Sequence, residues 1–188
     1  MCIRDRLVPG GFGTRGSEGI IDTATYTLEK NIPYLGICFG FQLAAIAFGR
    51  KMCSLENANS TEIIADTKNP IIDLLPEQKN ETEMGGSLRL GANEIKINQN
   101  SLAHKIYNSD KISKRHRHRY EFNTKYRDEF LKKGMIFSGE SDDGKRMEIL
   151  EVPTHKFFLG VQFHPEFNSR PGFPEDVFKT FVTAAAQN

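Results

Sequence analysis

Apolar and polar positions change period along the chain, and the changes mark its elements. From Ser17 to Lys30, residues Ile20, Ile21, Ala24 and Leu28 recur at helical spacing and predict a helix with one apolar face. Ser17 suits its N-terminus as a cap, and Glu18 suits the first turn, where a carboxylate meets the positive end of the helix dipole. Residues 33–37 (PYLGI) are a short apolar run and predict a buried strand. Residues 41–48 (FQLAAIAF) predict an apolar helix closed by Gly49. With the strand stub Leu7-Val8 and the glycine-rich 9–16, this alternation of strand, loop and helix builds a parallel sheet covered by helices.

Further along, the period falls to two. Residues 85–97 (GGSLRLGANEIKI) alternate about Gly-Ala-Asn and predict an antiparallel hairpin. Short helices are expected over 101–107 and over 124–133, the second capped by Thr124 and stopped by Gly134. Three strands are expected over 135–138, 147–152 and 157–163, and a last helix over 175–186 after Pro174. The class is therefore α/β, without repeats, linkers or low-complexity segments.

A chain of 188 residues with 38% hydrophobic content suits one domain with its own core. Its 25 basic and 24 acidic residues leave a net charge of +1, so bulk charge favours neither nucleic acid nor a membrane surface as partner. There is no apolar run of about 18 residues, and the opening MCIRDR lacks the apolar core of a secretory signal. A cytoplasmic protein is expected. Its three cysteines, Cys2, Cys38 and Cys53, are odd in number and form no CxxC, which argues for free thiols. Leu7-Val8 is short for a complete strand. Residues 1–6 are accordingly set apart as a candidate non-native leader, and 7–188 as a domain expected to lack its first strands.

Candidate chemistry lies in four stretches. GICFG, residues 36–40, places Cys38 between glycines on a predicted strand-to-helix turn. Such a nucleophile elbow sets the sulfur over the first helical N–H groups and aims the Phe39 amide into an oxyanion hole. The pentapeptide alone leaves a buried, inert cysteine equally open. In VQFHPEF, His164 and Glu166 are two apart in extended structure and share a face, so His164 can serve as base while Glu166 fixes its tautomer. PGGFGTRG, residues 9–16, lacks both GxGxxG and Gly-Lys-Ser/Thr, so it is no phosphate cradle. Its Gly11 amide is a candidate second oxyanion donor, or the loop is simply a tight connection. RHRHRYE, residues 115–121, sends Arg115, Arg117, Arg119 and Glu121 to one face and His116, His118 and Tyr120 to the other. That pattern suits salt bridges or one small anion better than nucleic acid, and His116 with His118 lacks further ligands for zinc.

The segments LVPGGFGTRG, GICFGFQ, ANSTE, LLPEQ, GGSLRLG, RHRHRYEFN, SGE and GVQFHPEFNSRPGFP occur in this order. From Leu7 onward the chain resembles the class I glutamine amidotransferase domain of CTP synthase. The elbow and HPE would suit any class I amidotransferase, whereas RHRHRYE and HPEFxSRP are particular to CTP synthases. The resemblance implies a three-layer, flavodoxin-like fold with a mostly parallel central sheet and an added antiparallel portion. It implies hydrolysis of L-glutamine by Cys38 as nucleophile, His164 as acid/base and Glu166 as its orienter, with Gly11 and Phe39 as oxyanion donors. Gln42 would line the glutamine pocket, and Glu62 and Arg119 would hold the ammonium and α-carboxylate, a match of charge and geometry. No cofactor or metal is implied for this domain. ATP and Mg are implied for a synthase domain, absent here, that aminates UTP; GTP is implied as allosteric activator and a homotetramer as assembly. Phe39 and Phe41 depart from the Leu and Met more usual in the family elbow; the first acts through its backbone, and the second bears on packing. The rival readings are another γ-glutamyl cysteine hydrolase, a non-catalytic scaffold or regulatory module of the same fold, and, weakest, a nucleic-acid module built on RHRHRYE.

Overall fold

The computed structural model describes residues 5–74 and 88–187. Strand β1 (Arg6–Val8) leads through the glycine loop into helix α1 (Ser17–Lys30); β2 (Tyr34–Ile37) leads directly into α2 (Phe39–Lys51). Short strands β3 (Asn59–Ser60) and β4 (Pro70–Asp73) follow, then β5 (Arg89–Ile97), α3 (Leu102–Tyr107), β6 (Lys111–His118) and β7 (Glu121–Phe122). A 3-10 turn and α4 (Arg127–Lys132) precede β8 (Ile136–Ser141), β9 (Met147–Glu151) and β10 (Phe158–Val161), and α5 (Asp176–Ala186) comes last.

The main sheet has the order β1-β2-β10-β9-β8-β5-β6, and β3-β4-β7 form a small second sheet. The strands β1, β2 and β10 run parallel, while every pairing from β10 to β6 is antiparallel. The antiparallel portion is thus the larger part of the described sheet, not an addition to a mostly parallel one. The sheet is covered on both faces, which explains why β2 is apolar throughout. Tyr34 and Phe158 face a core shared with α1 and α2, whereas Leu35, Ile37 and Leu159 face a second core that includes Ala103 of α3 and Val177 and Phe181 of α5. These are the three layers of the expected fold. No helix among the described residues is long and apolar enough to cross a membrane.

Several local expectations change. Gly49 does not close α2; it lies inside the helix, where its missing side chain lets α2 approach Phe130 and Ile71, each within 3.4 Å of where a Cβ would be. Ser17 does not cap α1: Gly16 does, at φ 76°, and the Ser17 hydroxyl donates back to the Thr14 carbonyl. Residues 89–97 form one strand with no turn at Gly91-Ala92-Asn93, because β6 pairs with it without interruption from Arg89↔His118 to Lys96↔Lys111. Residues 85–87 of the expected hairpin, and most of LLPEQ, lie outside the described residues. Asn123, not Thr124, caps the segment before α4, accepting from the Lys125 amide at 3.2 Å.

Candidate active site

Strand β2 ends in the sheet between β1 and β10, and the turn into α2 falls on one residue. Cys38 takes φ 50°, ψ −97°, a backbone state that costs an L side chain about 1–3 kcal/mol and persists only when its surroundings impose it. Here they do. The Cys38 amide continues the β2–β10 ladder by donating to the Val161 carbonyl at 2.7 Å, and the Cys38 carbonyl accepts from the Gln42 amide at 3.2 Å. The flanking glycines are steric necessities: a Cβ on Gly36 would meet the Gly40 carbonyl oxygen at 2.5 Å, and one on Gly40 would meet the Val8 carbonyl oxygen at 2.5 Å. The buried Tyr34, stacked on Phe158, donates its hydroxyl to the Gly40 carbonyl at 2.9 Å and so ties down the first turn of α2.

His164 lies just past β10, and its amide donates to the Arg115 carbonyl of β6 at 2.9 Å. Its Nδ1 lies 2.6 Å from Glu166 Oε1, and its ring stacks on Phe167. A carboxylate partner makes Nδ1 the donor, which leaves Nε2 as the acceptor; that nitrogen is buried and has no hydrogen-bond partner. Burial, the largest single influence, opposes ionisation of Glu166, but the bond to His164, the hydrogen bond to its own backbone and the His164 charge together outweigh it and hold the carboxyl below the ordinary range. Gly10 sits between the two sites: a Cβ there would lie 2.7 Å from His164 Cε1 and 3.7 Å from Cys38 Cβ. Burial pushes the Cys38 thiol up to about 12, against the pull of the Phe39 amide, and the charges of Glu166, Glu121 and Glu62 add to the rise. These surroundings favour the protonated thiol over the thiolate when the cavity is empty.

A cavity of about 630 Å³ opens over Cys38 and His164. Gly10, Gly11 and Phe12 wall it from the loop after β1, and Gln42 from α2. Glu62 and Arg119 line it as well, with Glu62 Oε1 accepting from the Gly13 amide at 2.9 Å. Gly11, Cys38, Gln42, Glu62, Arg119 and His164, spread over 154 positions of sequence, thus share one hollow. Phe39 and Glu166 stand behind its wall: the Phe39 ring packs beside Gly11, 3.4 Å from where a Cβ would be, and Glu166 reaches the cavity only through His164.

Reasoning from sequence missed three parts of this site. Gly10 is needed for the approach of His164. The Tyr120 carbonyl accepts from Gln42 Nε2 at 2.9 Å, with His118 Nδ1 at 3.1 Å from the same oxygen. Gln162, fully buried, places its Nε2 3.8 Å from Cys38 Sγ. It stands one residue past β10, and its contact with Cys38, 124 positions away in sequence, left no local signal.

The basic run divides nearly as its alternation predicts: Arg115 and Arg117 are exposed, His116 and His118 buried. Glu121 is the correction. It does not share the arginine face but is buried, with Oε1 3.6 Å from His118 Nδ1, 3.8 Å from Arg89 and 3.6 Å from Arg146. Strand β7 pairs with β4 and turns that side chain inward. Arg89 also binds Glu148, which lies 2.9 Å from His116 Nε2. The two histidines are thereby engaged in a buried polar cluster, and no group of three or more metal-ligating side chains occurs among the described residues.

The model of the family "Glutamine amidotransferase class-I" matches residues 2–184. CTP synthase of Archaeoglobus fulgidus is 55% identical over 179 residues, which are 95% of this chain and 34% of that protein. CTP synthase of Staphylococcus haemolyticus is 53% identical with the same coverage of 95% and 34%. The chain thus spans about a third of the length of the curated relatives it matches. Among solved structures, the glutaminase domain of Trypanosoma brucei CTP synthase with bound acivicin superimposes with a TM-score of 0.92 at 37% identity, covering 98% of this chain and 72% of that one. A GMP synthase protein of Thermoplasma acidophilum, at 16% identity and TM-score 0.62 over 98% of this chain and 73% of that one, shares the fold.

Proposed function

The chain belongs to the class I glutamine amidotransferase family, within the glutaminase domains of CTP synthases, and from that premise we propose that it hydrolyses L-glutamine through a cysteinyl thioester. The observation that carries the reading is the convergence of Cys38, at its positive φ, with a His164 whose Nε2 is left free by the 2.6 Å contact of Nδ1 with Glu166.

In the proposed cycle, glutamine enters the cavity with its ammonium toward Glu62 and its α-carboxylate toward Arg119. Cys38 Sγ attacks the side-chain amide carbon while its proton passes to His164 Nε2. A thiol held near 12 by burial gives up its proton only as the carbon–sulfur bond forms, so the base must act during attack. The developing oxyanion is held by the amides of Phe39 and Gly11. The His164 imidazolium, supported by Glu166, protonates the departing nitrogen, and ammonia leaves a γ-glutamyl thioester. His164 then takes a proton from water, hydroxide attacks the thioester, and glutamate departs as the sulfur regains its proton.

The relatives are named CTP synthases, and we extend the proposal on the family resemblance: the ammonia serves a synthase domain that converts UTP to CTP with ATP and Mg, with GTP as activator and a homotetramer as working assembly. A cytoplasmic location fits the two described cysteines, both free. The direct test is ammonia release from glutamine by the protein and its Cys38→Ala variant. Loss of activity by at least about a thousandfold is expected, since no other group supplies the nucleophile. Retention of full activity would contradict the scheme.

A further inference from the structure

We propose that Gln162 is a further catalytic group, whose side-chain amide donates a hydrogen bond to Cys38 Sγ and stabilises the sulfur as it becomes anionic. This rests on the reading of Cys38 as nucleophile and adds a residue to it.

The orientation of the Gln162 amide follows from its partners. Gln42 Nε2 lies 2.9 Å from the Tyr120 carbonyl oxygen, which can only accept, so that end of Gln42 is its amino group. The same amino group lies 3.4 Å from Gln162 Oε1, so that atom is the acceptor. The Gln162 amino group is then the end that faces Cys38 Sγ, at 3.8 Å. The His118 ring, 3.1 Å from the Tyr120 carbonyl through Nδ1, must donate as well and reinforces the anchor. Gln162 is itself held by its backbone, whose amide donates to the Glu148 carbonyl at 2.8 Å. A fully buried amide without partners would be costly; here each end of the side chain has one, and one of them is the nucleophile.

The surroundings make such a donor necessary. Glu166 and His164 follow β10, Glu121 lies in β7 and Glu62 follows β3; the three carboxylates all disfavour a thiolate. Arg117 and Arg119, from the end of β6 and just beyond it, are the cations that line the same cavity among the described residues. Against the carboxylates stand two donors at the sulfur itself, the Phe39 amide and Gln162.

The test is the rate of Cys38 alkylation by iodoacetamide across pH, located by peptide mass, for the unmodified protein and for Gln162→Leu and Gln162→Glu. The first variant removes the donor, and the second replaces it with an acceptor of nearly the same shape. At a fixed pH below the thiol midpoint, alkylation should slow about tenfold in Gln162→Leu, the equivalent of one pKa unit, and further in Gln162→Glu. A merely structural role would loosen the elbow and speed alkylation, the opposite direction. Unchanged or faster alkylation in folded variants would overturn the proposal. Should both variants fail to fold, the unmodified protein still decides: the Gln162 side-chain amide resonances should shift when Cys38 is alkylated, and unmoved resonances would refute the contact. Alkylation needs no glutamine, so slowed alkylation without any glutaminase activity would sink the hydrolase reading alone.

Discussion

Cys38 and the pair His164 and Glu166 each stand in short motifs whose local spacing marked them as a candidate site. Glycines two residues either side of a cysteine permit the φ of 50°, whereas the expected extended pairing of His164 with Glu166 is corrected: residues Pro165–Asn168 form a 3-10 turn capped by His164, and that turn brings Glu166 Oε1 to 2.6 Å from His164 Nδ1. Gln162 was not legible in the same way, because its contact with Cys38 spans 124 positions and depends on the β2–β10 register and on Gln42. At this scale the sharpest steric claim concerns Gly40. A Cβ there meets a backbone oxygen at 2.5 Å, and backbone cannot swing aside as a flexible side chain would. Gly40→Ala should lower stability by about 1–3 kcal/mol and reduce glutaminase activity more than tenfold, measured by thermal melting and ammonia release. An unperturbed Gly40→Ala protein would show that the elbow has slack. For Glu62→Gln, a rise in KM for glutamine with a much smaller change in kcat is expected, because its carboxylate would meet the substrate's ammonium and not the reacting carbon.

Elements were recognised wherever a single period ran unbroken, as in α1, and misread where glycine allowed two outcomes. Gly91, at φ 86°, looks like a turn in isolation but is absorbed within β5 because β6 pairs across it. The same pairing creates the buried cluster of Arg89, His116, His118, Glu121 and Glu148, which no local pattern announces. Its ionisable groups make stability depend on pH. Burial and the neighbouring Glu148 charge push Glu121 up to about 8 from an ordinary 4.5. The folded state therefore holds that proton more tightly than the unfolded chain, and its contribution is full below about 4.5 and lost as pH rises toward 8. Burial depresses His118 to about 3 from 6.5, so its contribution is full above 6.5 and lost as pH falls toward 3. Glu148, held low by His116 and Arg89 in spite of burial, adds to the acid-side loss. The melting temperature should accordingly peak between about pH 4.5 and 6.5. Glu121→Gln should flatten the alkaline fall while leaving the acid one. An identical alkaline slope in that variant, followed by calorimetry from pH 5 to 8, would contradict the assignment.

Across the whole molecule, topology does what no single motif can. The position of β2 between β1 and β10 brings the glycine loop, the elbow and the His164 segment to one end of the sheet, while the segments just after β6 and β3 supply Arg119, Tyr120 and Glu62 from the side. The order of the motifs made the family legible. The balance of parallel and antiparallel strands was not, because the pairing partners of β5, β8 and β9 are decided by tertiary packing and not by local pattern. The most direct measurement of the central claim is intact-mass analysis after exposure to an electrophilic glutamine analogue, with peptide mapping and free glutamine as competitor. One adduct, located on Cys38 and suppressed by glutamine, is the predicted result, since it requires the elbow, the oxyanion donors and the amino-acid contacts together. A cooperatively melting protein that gains no adduct, or one whose adduct glutamine does not suppress, would contradict the account.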